Sequence, residues 1–213
     1  MVTDKSLFFY GSIYHIIIDP LIKPSWRQIV NLVSDNSRVF DGGCGTGRLA
    51  LLLMREKNCQ VVGADLSRRQ LDFAERSIHD NNVKFVHMDV SDISEYKDNS
   101  FDYSVMCQVI HEIPADKQPA VISELMRIAS KAVILDSNTP LPRNYVGLTI
   151  RFMDATFGRD HYDKFKSYIA SGGLMGILER AGLTSNIVQR LIFRRNSLQL
   201  VVLARQNVNS PGS

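Results

Sequence analysis

Four short stretches of this chain carry residues that can do chemistry. In the first, Asp41 closes an apolar run and is followed by Gly42, Gly43, Cys44, Gly45, Thr46 and Gly47. Alternating glycines let a backbone turn with positive φ and pass close to a ligand. The helix expected next offers its free N–H groups to the same crevice. Asp65 and Asp89 follow at intervals of 24 residues each, about one strand–helix unit. Asp41 suits the loop amides or a ligand ammonium, and Asp65 suits a ribose diol, which wants a two-oxygen acceptor. Asp89 suits the amino group of an adenine. One Asp at a strand end reads equally well as a turn cap; three in register behind a glycine loop read as a nucleoside site. His111, just past a strand end, is the candidate general base for an acceptor that must lose a proton. The bland alternative is a histidine packed at a helix start.

These residues need a frame. Residues 38–41 read as a strand and 46–56 as its helix, with Leu49, Leu52 and Leu53 on one face. A second strand spans 60–65. Ser67 reads as an N-cap, with Gln70 completing a capping box for a helix reaching residue 80. Strands at 83–88, 101–107 and 132–136 follow, the last two separated by a helix that starts at 114–116 and carries Val121, Leu125 and Ile128. Such β–α repetition implies a parallel sheet with helices on both faces and right-handed crossovers. Ligands of open parallel sheets lie beyond the C-terminal strand ends. Pro140 and Pro142 then break the pattern. Val146, Ile150, Met153 and Phe157 fall at helical spacing, 158–166 is polar and of mixed charge, and a helix over 174–181 stops at Gly182, a C′ glycine. Runs at 187–193 and 198–204 form a hairpin around Arg194-Arg195-Asn196.

Composition sets outer bounds. The 213 residues, 45% of them hydrophobic, suit one domain with a full core. It divides into a helical N-terminal cap (1–35), a nucleoside-binding core (36–136), an acceptor-site insert with its helix (137–182), a hairpin (183–205) and a loose polar tail (206–213). The formal net charge is only +3, its Lys and Arg scattered among acids; no basic patch interleaved with aromatics points to nucleic acid. Cys44, Cys59 and Cys107 lack metal-ligand spacing. An odd few cysteines fit a reducing cytoplasm, and no metal is expected. The apolar run 7–18 is broken by Gly11, Ser12 and His15 and ended by Asp19-Pro20, short of the ~20 residues a membrane span needs. It has neither a basic flank nor a cleavage site, so it reads as a packed amphipathic segment.

Gly45 to Ala50 also fits the dinucleotide fingerprint G-x-G-x-x-A, but Asp41 and two glycines stand between it and the strand. The longer stretch 39–47 instead resembles motif I of the class I S-adenosylmethionine (SAM)-dependent methyltransferases, with Asp41, Gly43, Gly45 and Gly47 as D-x-G-x-G-x-G. Residues 62–67 resemble the post-I motif, 86–90 motif II, 101–108 motif IV, and 109–114 the segment after it. The likeness is to the methyltransferase domains of types 11 and 25, with a distant look of quinone and phospholipid methyltransferases in residues 12–30. It covers roughly 38–136 and the terminal hairpin. The resemblance implies a Rossmann-like α/β fold whose seven-stranded sheet is mostly parallel with an antiparallel last strand. It implies SAM as cofactor, held by Asp41, Gly42, Gly43, Cys44, Gly45, Gly47, Asp65, Leu66, Asp89, Val90 and Gln108, the last mainly through its backbone. Tyr14, with Tyr10 and His15, would fold over it as a lid.

Methyl transfer from a sulfonium is an in-line displacement, for which alignment contributes ~7–11 kcal/mol at best. Three absences narrow the acceptor. There is no Asn/Asp-Pro-Pro-Tyr after residue 107, as adenine or amide methylation would use, and no Pro-Cys nucleophile there. Gln108 stands where a metal-dependent enzyme would want an acid. A small molecule remains, and the apolar residues Val146, Ile150, Phe152, Met153 and Phe157 lean it toward a hydrophobic one, with His161 and Tyr162 at the pocket border. The competing readings are a non-catalytic SAM-binding or partner-binding module and, more remotely, an NAD-dependent oxidoreductase.

Overall fold

The computed structural model describes residues 19–156 and 158–205. The expected lid of Tyr10, Tyr14 and His15, the pocket contributions of Met153 and Phe157 and the tail 206–213 lie outside the described residues and side chains. The described elements are α1 (Asp19–Leu32), β1 (Arg38–Gly42), α2 (Arg48–Lys57), β2 (Gln60–Asp65), α3 (Arg68–Ser77), β3 (Val83–His87), β4 (Phe101–Cys107), α4 (Gln118–Ile128), β5 (Ala129–Ser137), α5 (Tyr145–Thr156), α6 (Arg159–Ala170), α7 (Gly173–Arg180), β6 (Ile187–Phe193) and β7 (Leu198–Ala204). Short 3-10 turns at Ile110–Glu112 and Thr184–Asn186 join them.

The strands form one sheet in the order β3-β2-β1-β4-β5-β7-β6. The first five pair parallel; β7 inserts antiparallel between β5 and β6. Side chains alternate across a strand, and the sequence alternates apolar with apolar. Val39, Val105, Val133 and Leu135 meet Ile29, Leu49 and Leu53 of α1 and α2 on one face. Phe40, Met106 and Ile134 meet Leu125, Leu174 and Ile177 of α4 and α7 on the other. Burial on both faces is why these strands read as continuous apolar runs. The order reverses between β1 and β4, which opens a crevice beyond their C-terminal ends.

Several boundaries differ from expectation, among them the start of α4 at Gln118 against 114–116. β5 begins at Ala129 because the chain turns extended right at the end of α4, with φ −135° and ψ 155°. The polar segment 158–166 is part of a helix, α6, that buries only Phe165 and Tyr168. So narrow an apolar face leaves little periodicity to read. α3 ends at Ser77, before the expected residue 80. Gly182 does take the left-handed conformation, φ +69°, and no described helix is long and apolar enough to cross a membrane.

Candidate functional site

The glycine loop folds back over β2, where the Gly43 and Cys44 N–H groups both donate to the Ala64 carbonyl, at 2.8 and 3.0 Å. Gly43 sits at φ +76°, and a Cβ there would lie 2.4 Å from Val109 Cγ2. Gly43→Ala is therefore expected to cost at least about 2 kcal/mol from strain and overpacking together, read as a lowered urea midpoint at unchanged slope. Gly47, at φ +72°, leaves no room beside the Phe85 ring, 2.6 Å from where its Cβ would stand.

Asp65 holds the loop and the next helix at once. Its Oδ2 accepts the Gly45 N–H at 2.8 Å, and its Oδ1 accepts the Ser67 N–H at 2.8 Å. Ser67 does cap α3, its Oγ accepting the Gln70 N–H at 3.4 Å. The reciprocal half expected of Gln70 is supplied by Asp65. Of the loop amides, Gly45 thus bonds to Asp65 while Gly43 and Cys44 bond to Ala64, so of the two roles expected of Asp41, loop amides or a ligand ammonium, the first falls to other acceptors. Asp41 is buried behind the loop, 2% exposed, with Oδ2 lacking a partner. Burial first, then the neighbouring Asp65 charge, push its carboxyl up to about 7. Asp89 is exposed, and the Ser91 N–H it accepts at 2.8 Å holds its carboxyl below the ordinary range. Gln108 takes φ +58° and donates its N–H to the Leu135 carbonyl at 2.8 Å; its Nε2 is buried without a partner.

One cavity of about 780 Å³ gathers these residues. Gly43, Gly45, Asp65, Leu66, Asp89, Val90, Gln108 and His111 line it, and Asp41, Gly42, Cys44 and Gly47 do not. From the insert, Tyr145, Val146, Thr149 and Ile150 of α5 and His161 and Lys164 of α6 complete the lining. Phe152 does not: it is 71% exposed. Tyr162 is also outside the lining. Burial pushes the Cys44 and Cys107 thiols up, so neither has nucleophilic character.

His111 is buried in the 3-10 turn after β4, its Nδ1 2.9 and 3.0 Å from the two carboxylate oxygens of Asp136. Asp136 is fully buried near the end of β5, and its Oδ1 also accepts the Ser137 N–H at 2.6 Å. A carboxylate partner makes Nδ1 the protonated nitrogen and leaves the lone pair on Nε2. The sequence reading missed Asp136 as a site residue. It lies 25 residues from His111, and only the pairing of β4 with β5 brings the two together. The His161 ring packs edge-on to His111, centroids 5.6 Å apart. His111, Glu112 and His161 present ligand atoms within 4.8 Å of one another, a grouping that could take a divalent cation. Desolvation in the cleft pushes the Glu112 carboxyl up, against the opposing pull of His111 and His161.

Comparison with known proteins agrees with this fold. A family model described as a methyltransferase domain matches residues 39–131. Over 128 residues the chain is 30% identical to the methyltransferase GfsG of Streptomyces halstedii, covering 56% of this chain and 46% of that one. Over 154 residues it is 27% identical to the ubiquinone biosynthesis O-methyltransferase of Neisseria meningitidis, covering 68% and 63%. The chain spans about half the length of the curated relatives it matches. Among solved structures, the PH0226 protein of Pyrococcus horikoshii superimposes with a TM-score of 0.67 over 92% of this chain and 99% of that one, at 18% identity, a likeness of fold.

Proposed function

We propose that this chain, which belongs to the class I SAM-dependent methyltransferases, moves a methyl group from SAM to a hydroxyl oxygen of a small acceptor. The carrying observation is the buried His111–Asp136 pair, which opens onto the same cavity as Asp65 and Asp89. A thiolate or a free amine can accept a methyl without a base; a hydroxyl benefits from one. Two O-methyltransferases among the relatives support it, while another relative is an N-terminal methyltransferase.

The residues present fit the cofactor. Gly43 and Gly45 line the cavity, and the space beside Gly45 is open where a side chain would stand. Asp41 and Gln108 keep buried polar atoms without partners. Gly43, Gly45 and Gln108 would hold the methionine end, with the Asp41 charge behind them, Asp65 and Leu66 the ribose, and Asp89 and Val90 the adenine. When bound, SAM supplies an electrophilic methyl on a sulfonium that leaves as a neutral thioether. The chain's own part is to align the acceptor and to take its proton on His111 Nε2, while Asp136 fixes the tautomer and offsets the charge that results. Val146 and Ile150 of α5 would give the acceptor site an apolar wall.

The cofactor is tested by isothermal titration with SAM and with NAD. Binding of SAM alone is expected, and binding of NAD without SAM would sink the reading. Asp41 adds a pH dependence. Its folded pKa of about 7 lies above the ordinary carboxylate value, so folding holds a proton that the unfolded chain releases near pH 4. Stability is therefore lost as pH rises from about 4 to about 7, and Asp41→Asn should raise the Tm of the unliganded protein more at pH 8 than at pH 5. Binding of the cationic cofactor favours the ionised carboxylate. SAM affinity should fall by up to about tenfold between pH 8 and pH 6, and the slope should vanish in Asp41→Asn.

A further inference from the structure

We propose that Arg194 is the anion-binding residue of the acceptor chamber, and that the acceptor carries a carboxylate as well as its hydroxyl; this rests on the methyltransferase reading above. Arg194 belongs to the turn between β6 and β7 and lines the cavity. The pairing of Ser137 with Leu198 brings that turn out at the sheet edge where Asp136 stands. β4 and β5 separate it from β1 and its glycine loop. Three strand spacings are roughly 15 Å, so the turn that carries Arg194 stands nearer the Asp136 side of the cavity than the glycine loop does.

The turn is built to hold its shape. Arg194, Arg195 and Asn196 are all left-handed, at φ +53°, +54° and +65°. Only the Asn takes that conformation readily. Asn138 Nδ2 donates to the Asn196 carbonyl at 2.9 Å and Asn144 Nδ2 to the Arg195 carbonyl at 3.0 Å. The Arg195 guanidinium lies over the Tyr145 ring at 4.7 Å. These contacts tie the turn to the insert that walls the chamber and fix where the Arg194 side chain starts.

What Arg194 lacks among the described residues is an acceptor. Its Nε is buried with no hydrogen-bond partner, and no carboxylate pairs with it among the described residues. The other cations of the cavity are accounted for: Lys164 pairs with Asp160 at 3.1 Å, and Lys117 lies by Asp89 at the adenine end. A buried donor left unpaired is costly and calls for a partner. The guanidinium fork matches a carboxylate by two parallel hydrogen bonds. A hydroxy acid would place its carboxylate on Arg194 and its hydroxyl toward His111, with its carbon frame along Val146 and Ile150.

The test uses the full chain loaded with S-adenosylhomocysteine. Three acids (4-hydroxybenzoate, caffeate and 3-hydroxydecanoate) are titrated, each against its own methyl ester. At least one acid should bind about tenfold or more tighter than its ester. Arg194→Gln should erase that difference with S-adenosylhomocysteine affinity and circular dichroism unchanged, and Arg194→Lys, which keeps the charge but not the fork, should retain part of it. Absence of any preference for acid over ester, including binding of no acid at all, overturns the proposal. So does an Arg194→Gln protein that keeps the preference, or one that loses S-adenosylhomocysteine affinity, which would give Arg194 to the cofactor's own carboxylate. Wild-type protein that binds no S-adenosylhomocysteine sinks the methyltransferase reading itself; binding intact without acid preference sinks this inference alone.

Discussion

His111→Ala is expected to lower kcat by about 10²–10⁴-fold, the range for losing a positioned general base, while SAM affinity stays as it is. His111 lines the same cavity as Asp65 and Asp89 but bonds to neither, and its Nδ1 is committed to Asp136. The loss should therefore fall on kcat, with little change in the KM for SAM. Asp136→Asn tests the orienting role. The amide can hold the ring, but it also offers a donor that favours the wrong tautomer, so kcat should drop by about as much as in other His–Asp pairs treated this way, up to roughly 10⁴-fold. The discriminating readout is the pH profile of kcat, measured with a catechol or phenol acceptor that turns over. Loss of its acidic limb in His111→Ala marks a base. An unchanged rate would return His111 to packing against His161, Phe165 and Tyr168, the rings it touches.

Asp65→Ala should weaken SAM binding by about ten- to a hundredfold, the effect of losing one or two hydrogen bonds to a charged acceptor. Two consequences arrive together, because the same carboxylate that would take the ribose diol also carries the Gly45 and Ser67 N–H groups. Asp65→Asn separates them in part: it keeps one oxygen acceptor and loses the charge. Titration calorimetry should show affinity in the order Asp, Asn, Ala, with Tm falling in the same order in the unliganded protein. Equal affinity for all three would refute the ribose role, whatever the Tm.

How much of this was legible in the sequence depended on how far apart the interacting residues lie. β1, β2 and β4 read correctly because they are buried on both faces, so that a strand such as Val39-Phe40-Asp41 shows an apolar run ending in an acid. Gly43 and Gly47 were legible because only glycine accepts their backbone and neighbours. Asp65 was legible as an acid closing a strand, but its hold on the loop was hidden, since a bond to a loop amide 20 residues away leaves no pattern in the chain. The placing of Asp136 beside His111 and of Arg194 in the cavity lining was invisible for a related reason. The first depends on strand pairing and the second on hairpin register, and neither is encoded locally. Asp41 shows the converse: its position was plain, but its isolation behind the loop follows from packing that no motif states.

The antiparallel insertion of β7 has a bearing on how such a chain comes into being. Synthesis runs from the N-terminus, and the cofactor half is complete once residue 137 has left the ribosome. Until β7 is made, β5 stands as an open edge, with seven residues waiting for partners more than 60 positions downstream. An unprotected apolar edge of that kind invites pairing with other chains. The nascent protein is thus most exposed to misassembly during the interval in which α5, α6 and α7 are being made. A nucleotide-like ligand present at that stage would find its loop already formed, while the wall that selects the acceptor was still to come.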